Sequence, residues 1–152
     1  MNKNDTTAIL NRRARFDYEI GETLLCGIVL TGPEVRAVRD HHAQLKGAFV
    51  TIRDGEFWLN NASFSVKNNQ AGQAGALTIV NTPKKLLATR KQIKHFGEQK
   101  QAGFSIVPLK ITTTTDHIKV EIALGKGKKN YDKRQSIKRR DLERETHTRL
   151  KR

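Results

Sequence analysis

The sequence predicts a small β-barrel decorated with short helices and followed by a basic tail. Three observations carry this. His117 to Leu124 alternates, with Ile118, Val120, Ile122 and Leu124 on one face and Lys119 and Glu121 on the other. Phe49 to Leu59 holds two arms rich in β-formers around Asp54-Gly55, the pair that best closes a two-residue hairpin. Several short strand patterns are punctuated by turn signals, with two or three short helical patterns between them. A chain of 152 residues suits one body with tails.

Taken in order, Met1 to Leu10 is polar and without periodicity, which predicts a flexible N-terminus over 1–10. Asn11 to Tyr18 sets Arg12, Arg13 and Arg15 beside Phe16 and Tyr18. Two readings fit it equally: a phosphate- and base-contacting segment, or a short basic helix docked by its rings. Leu24 to Leu30 reads as a buried strand. Its Cys26, the only cysteine, reads as a structural thiol in a reducing cytoplasm. Thr31-Gly32-Pro33 signals a helix start, and Val35 and Val38 mark a buried stripe. Arg36 and Arg39 then share another stripe, open to solvent or RNA.

Trp58, in the second hairpin arm, is expected in the core. Asn60 to Gln73 reads as an exposed loop and Ala76 to Val80 as a strand. Thr89 and Gln92 have capping-box spacing, so a helix is expected from Thr89 to about Ala102, with Ile93 and Phe96 inward and Gly103 as its stop. Phe104 to Ile111 reads as a strand in which Pro108 demands an edge or a bulge. Thr112 to Asp116 is a turn, and Lys119 is a phosphate-contact candidate on the outer sheet face.

Lys+Arg 29 against Asp+Glu 15 gives a net charge of +14, the charge of a polyanion binder. The segment 126–152 carries twelve cations against four carboxylates, more than half of that excess. Only Ile137, Leu142 and Leu150 are aliphatic there, so a tail disordered when free and helical on RNA is expected. Its first residues, Lys126, Lys128 and Lys129, lie among glycines where the last strand stops, and Tyr131 puts a ring among the charges. The five histidines show no metal-ligand spacing, Gly125 to Lys129 is not a P-loop, and no nucleophile–base arrangement is legible. No enzyme, cofactor or metal is therefore expected. Neither a long apolar run nor a lipidation motif points to a membrane.

Four segments together resemble the SsrA-binding, or small protein B, family. They are Asn11 to Arg15 with Tyr18, Gly27 to Gly32 with Glu34-Val35-Arg36, Lys84 to Leu87, and Gly127 to Arg134. The likeness runs from about Leu10 to the end, and the Gly-Lys-Lys-x-x-Asp-Lys-Arg block joined to the rest is highly specific. It implies a mainly β fold: a small antiparallel OB-like barrel over 11–125 with about three short helices, then the tail over 126–152. It implies trans-translation. The family binds the tRNA-like domain of transfer-messenger RNA, promotes its delivery to stalled ribosomes, and lays its tail in the empty messenger channel near the decoding centre. The implied partners are that RNA and the ribosome, with no DNA, no membrane, and one monomer on the RNA.

By position, Asn11, Tyr18, Leu87 and Lys119 match residues that contact or support the family's RNA face, and Glu34 and Arg36 match its Gly-x-Glu-Val-Lys/Arg motif. Arg13, Arg15, Arg39, Lys84, Lys85, Lys126, Lys128 and Lys129 complete the expected RNA-binding set. Tyr131, Asp132, Lys133, Arg134, Lys138, Arg139 and Arg140 form the expected ribosome-binding tail. Three departures stand out. Leu25 replaces a usual acidic residue, Phe16 stands where a histidine is common, and 60–82 matches poorly. A general ribosomal-RNA-binding protein with a basic extension is the alternative, and a membrane-surface adaptor a third.

Overall fold

The computed structural model describes residues 7–68 and 76–150, without the side chains of Asn68, Asn130, Tyr131 and Asp132. The strands are β1 (Thr7–Leu10), β2 (Tyr18–Ile28), β3 (Ala43–Gln44), β4 (Phe49–Arg53), β5 (Glu56–Asn60), β6 (Ser63–Asn68), β7 (Ala76–Val80), β8 (Lys84–Leu87), β9 (Ser105–Thr113) and β10 (Ile118–Gly127). The helices are α1 (Arg12–Asp17), α2 (Gly32–Arg39), α3 (Arg90–Gln101) and α4 (Asn130–Leu150). Three decorate the body and the fourth is the tail.

A seven-stranded antiparallel sheet runs β1-β9-β10-β2-β8-β5-β4 and curls into a ring, where Val50 of β4 meets Ile106 of β9. A smaller sheet, β3-β6-β7, sits beside it. The expected mainly β, OB-like architecture is thus present. Phe57, Leu59, Leu86, Ile106, Ile122 and Phe96 fill the ring, each nearly inaccessible. Each such side chain stabilises by about 1.5–3 kcal/mol. The ring of Phe96 stands edge-on to that of Phe57, with centroids 5.8 Å apart.

Local signals set most elements. Asp54 (φ 53°) and Gly55 (φ 73°) make the tight hairpin turn. The Thr89 hydroxyl accepts from Gln92 N–H (3.3 Å), and the Gln92 side chain accepts from Thr89 N–H (3.0 Å), so the expected capping box starts α3. Gly103 ends it at φ 102°. Pro108 is accommodated by a bulge, since the β9–β10 register slips between Glu121 and Ile122. The strand itself is flanked on both sides, by β10 and by β1 and β4.

Four expectations are corrected. Thr7–Leu10 is a strand on β9, where a flexible N-terminus was expected. Its pairing is backbone-driven and leaves no apolar pattern. Ser63–Asn68 is a strand within the expected loop, anchored by Phe64, which is fully buried. The remaining loop residues, 69–73, lie outside the described ones, as do 1–6, 74–75 and 151–152. The strand expected at Leu24 begins six residues earlier, because Tyr18 to Thr23 lie over β10 with mostly exposed side chains. Trp58 faces outward between the buried Phe57 and Leu59, with the Arg53 guanidinium 5.1 Å over its ring. The tail segment, 130–150, is helical. No Gly or Pro interrupts it, and straight-chain residues dominate.

Candidate nucleic-acid interface

The β10–β2 ladder organises the charges. In its register Lys119 lies opposite Gly27, and Gly27 lies opposite Leu87 of β8. One row across three strands therefore reads cation, bare backbone, apolar side chain. Leu87 is 53% exposed, and Leu25, two residues along β2 on the same face, is equally so. A Cβ on Gly27 would touch the Leu87 side chain at 3.3 Å, so glycine leaves a shallow dent beside it. Lys110 is tied to Glu121 (3.2 Å) and Lys85 to Glu56 (2.8 Å), whereas Lys119 has no ion pair among the described residues. A cavity of about 310 Å³ opens beside the row, lined by Gly27, Leu87, Lys119, Val35 and Arg39 among others. Arg39 donates to the carbonyls of Thr114 (3.3 Å) and Thr115 (3.2 Å), which ties α2 to the β9–β10 turn.

The other end of the same ladder is covered. There α1 lies on the outer face, and Ala14 packs with Val107, Leu109 and Ala123, flanked by Tyr18 and Ile20. Asn11 fixes α1. Its side-chain oxygen accepts from Ala14 N–H (3.3 Å), its amide donates to Pro108 O (2.8 Å), and its N–H donates to Leu109 O (2.7 Å). Asn11 is buried, so it supports the surface and does not reach out from it. Tyr18 is half-buried over Gly125, where a Cβ would come within 2.9 Å of the Tyr18 Cβ.

Glu34 and Lys84 also belong inside. Their charged atoms lie 2.7 Å apart, with side chains 6% and 9% exposed. Thr31 donates to the second Glu34 oxygen (3.0 Å), Lys84 donates to the Thr82 hydroxyl (3.0 Å), and its ammonium lies 5.7 Å from the centre of the Phe64 ring. The sequence reading placed both on the RNA face. The structure instead makes them a clamp between α2 and β8, and Leu87 stands at the far end of β8. Arg36, two residues on from Glu34, stays exposed beside a cleft of about 300 Å³ with Gly32, His42 and Lys67.

The remaining cations gather at α1 and α4. Arg12, Arg15, Lys126, Lys129, Arg134, Lys138 and Arg139 are exposed. Arg13 pairs with Asp17 (3.0 Å), Lys133 reaches the other Asp17 oxygen (3.3 Å), and Lys128 donates to the Arg15 carbonyl (3.1 Å). Arg140 lies 6.0 Å from the Phe16 ring centre. The side chains of Tyr131 and Asp132 lie outside the described ones. Tyr18 pairs with Gly127 at one end of the ladder and Gly27 with Lys119 at the other. Nine residues of strand at ~3.3 Å each set the two clusters at most roughly 30 Å apart along β2. The sequence reading had set the tail from Tyr131 to Arg140 apart but had put Arg13, Arg15, Lys126, Lys128 and Lys129 in one RNA-binding set with Lys119.

Cys26 is buried beneath the row, and burial pushes its thiol up to about 11. Among the described residues no group of three His, Cys, Asp or Glu could hold a metal ion, and no helix is long and apolar enough to cross a membrane. What the geometry offers is a notched sheet face for a folded polyanion and a separate cationic arm.

Comparison with known proteins assigns the chain to a family. The family model described as SmpB protein matches residues 8–152. The chain is 43% identical over 137 residues to an SsrA-binding protein of Mycoplasma mycoides, covering 90% of this chain and 91% of that protein. It is 43% identical over 143 residues to one of Shouchella clausii, covering 93% and 89%. It is 41% identical over 146 residues to one of Coxiella burnetii, covering 95% and 91%. The fold is similar to a chain in the solved structure "tmRNA-SmpB: a journey to the center of the bacterial ribosome". That match has a TM-score of 0.62 and 32% identity, and it covers 86% of this chain and 94% of that one. A matched family model over nearly the whole chain, with relatives of this identity, leaves one assignment: the chain belongs to the SmpB protein family.

Proposed function

We propose that this protein binds transfer-messenger RNA and carries it to stalled ribosomes as the RNA-binding partner in trans-translation. The relatives it matches are named SsrA-binding proteins, and the similar solved chain comes from a tmRNA–SmpB study of the bacterial ribosome. The observation that carries the reading is the Lys119–Gly27–Leu87 row. A cation for a phosphate, a dent and an apolar side chain for a ribose or base suit recognition of a folded RNA by shape and backbone contact. Leu25 flanks the row on β2 and Arg39 lines the cavity beside it, and both extend the contact. Asn11, Glu34 and Lys84 hold the surface in shape from within. The far end of the ladder carries the second task. Lys133, Arg134, Lys138 and Arg139, with Tyr131 and Asp132, enter the messenger channel near the decoding centre, and an occupying message excludes them. The work belongs in the cytoplasm, where ribosomes are.

A gel-shift competition at moderate ionic strength tests the reading. Transfer-messenger RNA should win over bulk tRNA and over ribosomal RNA fragments. Equal binding to all three would favour a general ribosomal-RNA binder and sink this proposal.

A further inference from the structure

We infer that Trp58, capped by Arg53, is a further RNA contact on the sheet face: a stacking platform for one unpaired base of the RNA gripped by the Lys119–Gly27–Leu87 row. The inference rests on the RNA-binding reading and adds a site to it. A second row runs beside the first. Val29 N–H donates to the Lys85 carbonyl (3.0 Å), Lys85 lies opposite Trp58, and Trp58 lies opposite Thr51. Alternation along β8 puts Lys85 and Leu87 on one outer face, while Leu86 between them turns into the core opposite Phe57. The second row is therefore two residues from the first along β8 and continuous with it.

Its chemistry differs from that of the first row. Trp58 is the only tryptophan of the chain and is half-buried, with the Arg53 guanidinium 5.1 Å from its ring centre. Rings and guanidinium planes both stack on bases, with little regard to base identity. Arg53 is exposed and has no ion pair among the described residues, so it can cover a base from the other side and still meet a phosphate. Lys85, in contrast, is held by Glu56 at 2.8 Å, which cancels the charge beside the ring. A run of phosphates would call for free cations there; a neutral strip with a ring suits a base. Leu25, Val29 and Leu87 are each more than half exposed, so apolar exposure spans both rows and marks an interaction surface. The Asn60 amide donates to the Thr51 hydroxyl (2.8 Å) and to the Trp58 carbonyl (3.0 Å), which stiffens the strand pair that carries the ring.

The emission of Trp58 reports on this site alone. Full-length protein is titrated with transfer-messenger RNA, with filter binding run in parallel at the same salt. The emission should change with the same midpoint as filter binding, and quenching of the ring by acrylamide should fall at saturation. Trp58→Leu should weaken binding by roughly tenfold with the slope of log affinity against log salt unchanged, and Trp58→Phe should restore most of it. Arg53→Gln should lower that slope by about one. RNA that binds by filter yet leaves emission and quenching unmoved overturns the site, as does a Trp58→Leu variant of unchanged affinity. An unchanged slope in Arg53→Gln strikes Arg53 from it. A ribosomal RNA fragment that shields the ring better than transfer-messenger RNA overturns the choice of partner. Preference for transfer-messenger RNA is read by filter binding alone, so failure here and failure of the functional reading are separable.

Discussion

The Glu34 carboxylate and the Lys84 ammonium meet 2.7 Å apart inside the fold, joining the first turn of α2 to the start of β8. Breaking one half leaves a buried charge without its partner. Glu34→Gln or Lys84→Met should each cost about 3–5 kcal/mol in urea unfolding. Replacing both, as Glu34→Leu with Lys84→Met, should cost clearly less than the two singles added. Simple additivity would show that the pair does not act as a unit.

Lys119 and Leu87 sit in one row but work by different physics. Lys119→Ala should weaken binding to transfer-messenger RNA and lower the slope of log affinity against log salt by about one. Leu87→Ala should weaken binding with the slope unchanged, because no counterion is released at an apolar contact. Filter binding between low and moderate salt measures both. A slope unchanged in Lys119→Ala would make that lysine a bystander.

Gly125 is held against Tyr18 too closely for any side chain. Gly125→Ala should destabilise by about 1–3 kcal/mol through overpacking. Adding Tyr18→Gly should recover part of that loss, because it removes the Tyr18 Cβ, Cγ and Cδ1 atoms that the new methyl meets. Thermal melts of the three variants would show the recovery, and additive losses would contradict it.

The thiol of Cys26 supplies a pH dependence. Its pKa rises from an ordinary 9.0 to about 11 in the folded protein because burial disfavours the thiolate. The folded state therefore holds its proton where the unfolded state has lost it. This stability is fully present below pH 9 and is lost as pH rises towards 11, by at most about 2–3 kcal/mol. Cys26→Ala should remove that alkaline loss from a urea titration series. An identical alkaline slope in the variant would assign the loss to other groups.

Much of this was legible in the sequence wherever a local rule governed. The Asp54-Gly55 turn, the Thr89–Gln92 box, the Pro108 bulge and the His117–Leu124 alternation each rest on nearby residues. What escaped depends on distant partners. β8 is four residues long and is a strand only because Leu86 bridges Ile28 and Phe57. β6 hides in a polar stretch and is fixed by Phe64 against Val80 and Ala43. The site shows the same division. Motif positions marked Glu34 and Lys84 as important, yet nothing local could say that they face each other and not the RNA. The capping role of Asn11 had a usable signal, since Asn before a helical pattern is a preferred N-cap. The two-ended layout had none, because it follows from the register of β10 on β2.

Asn11 gives a further check on the covered end of the ladder. Asn11→Ala removes the α1 cap and leaves the Pro108 carbonyl without its donor. A loss of about 1–3 kcal/mol is expected in chemical unfolding. RNA affinity measured well below the unfolding transition should fall little, since the side chain is buried. A large affinity loss with unchanged stability would place Asn11 in direct contact.

The central claim is that gripping the RNA and sensing the ribosome occupy opposite ends of one β-ladder. Peptide tagging on stalled ribosomes by protein lacking residues 131–152, with every protein saturated by transfer-messenger RNA, tests it most directly. Tagging should vanish although the RNA is fully bound. Tagging that proceeds near the full-length rate would contradict the claim.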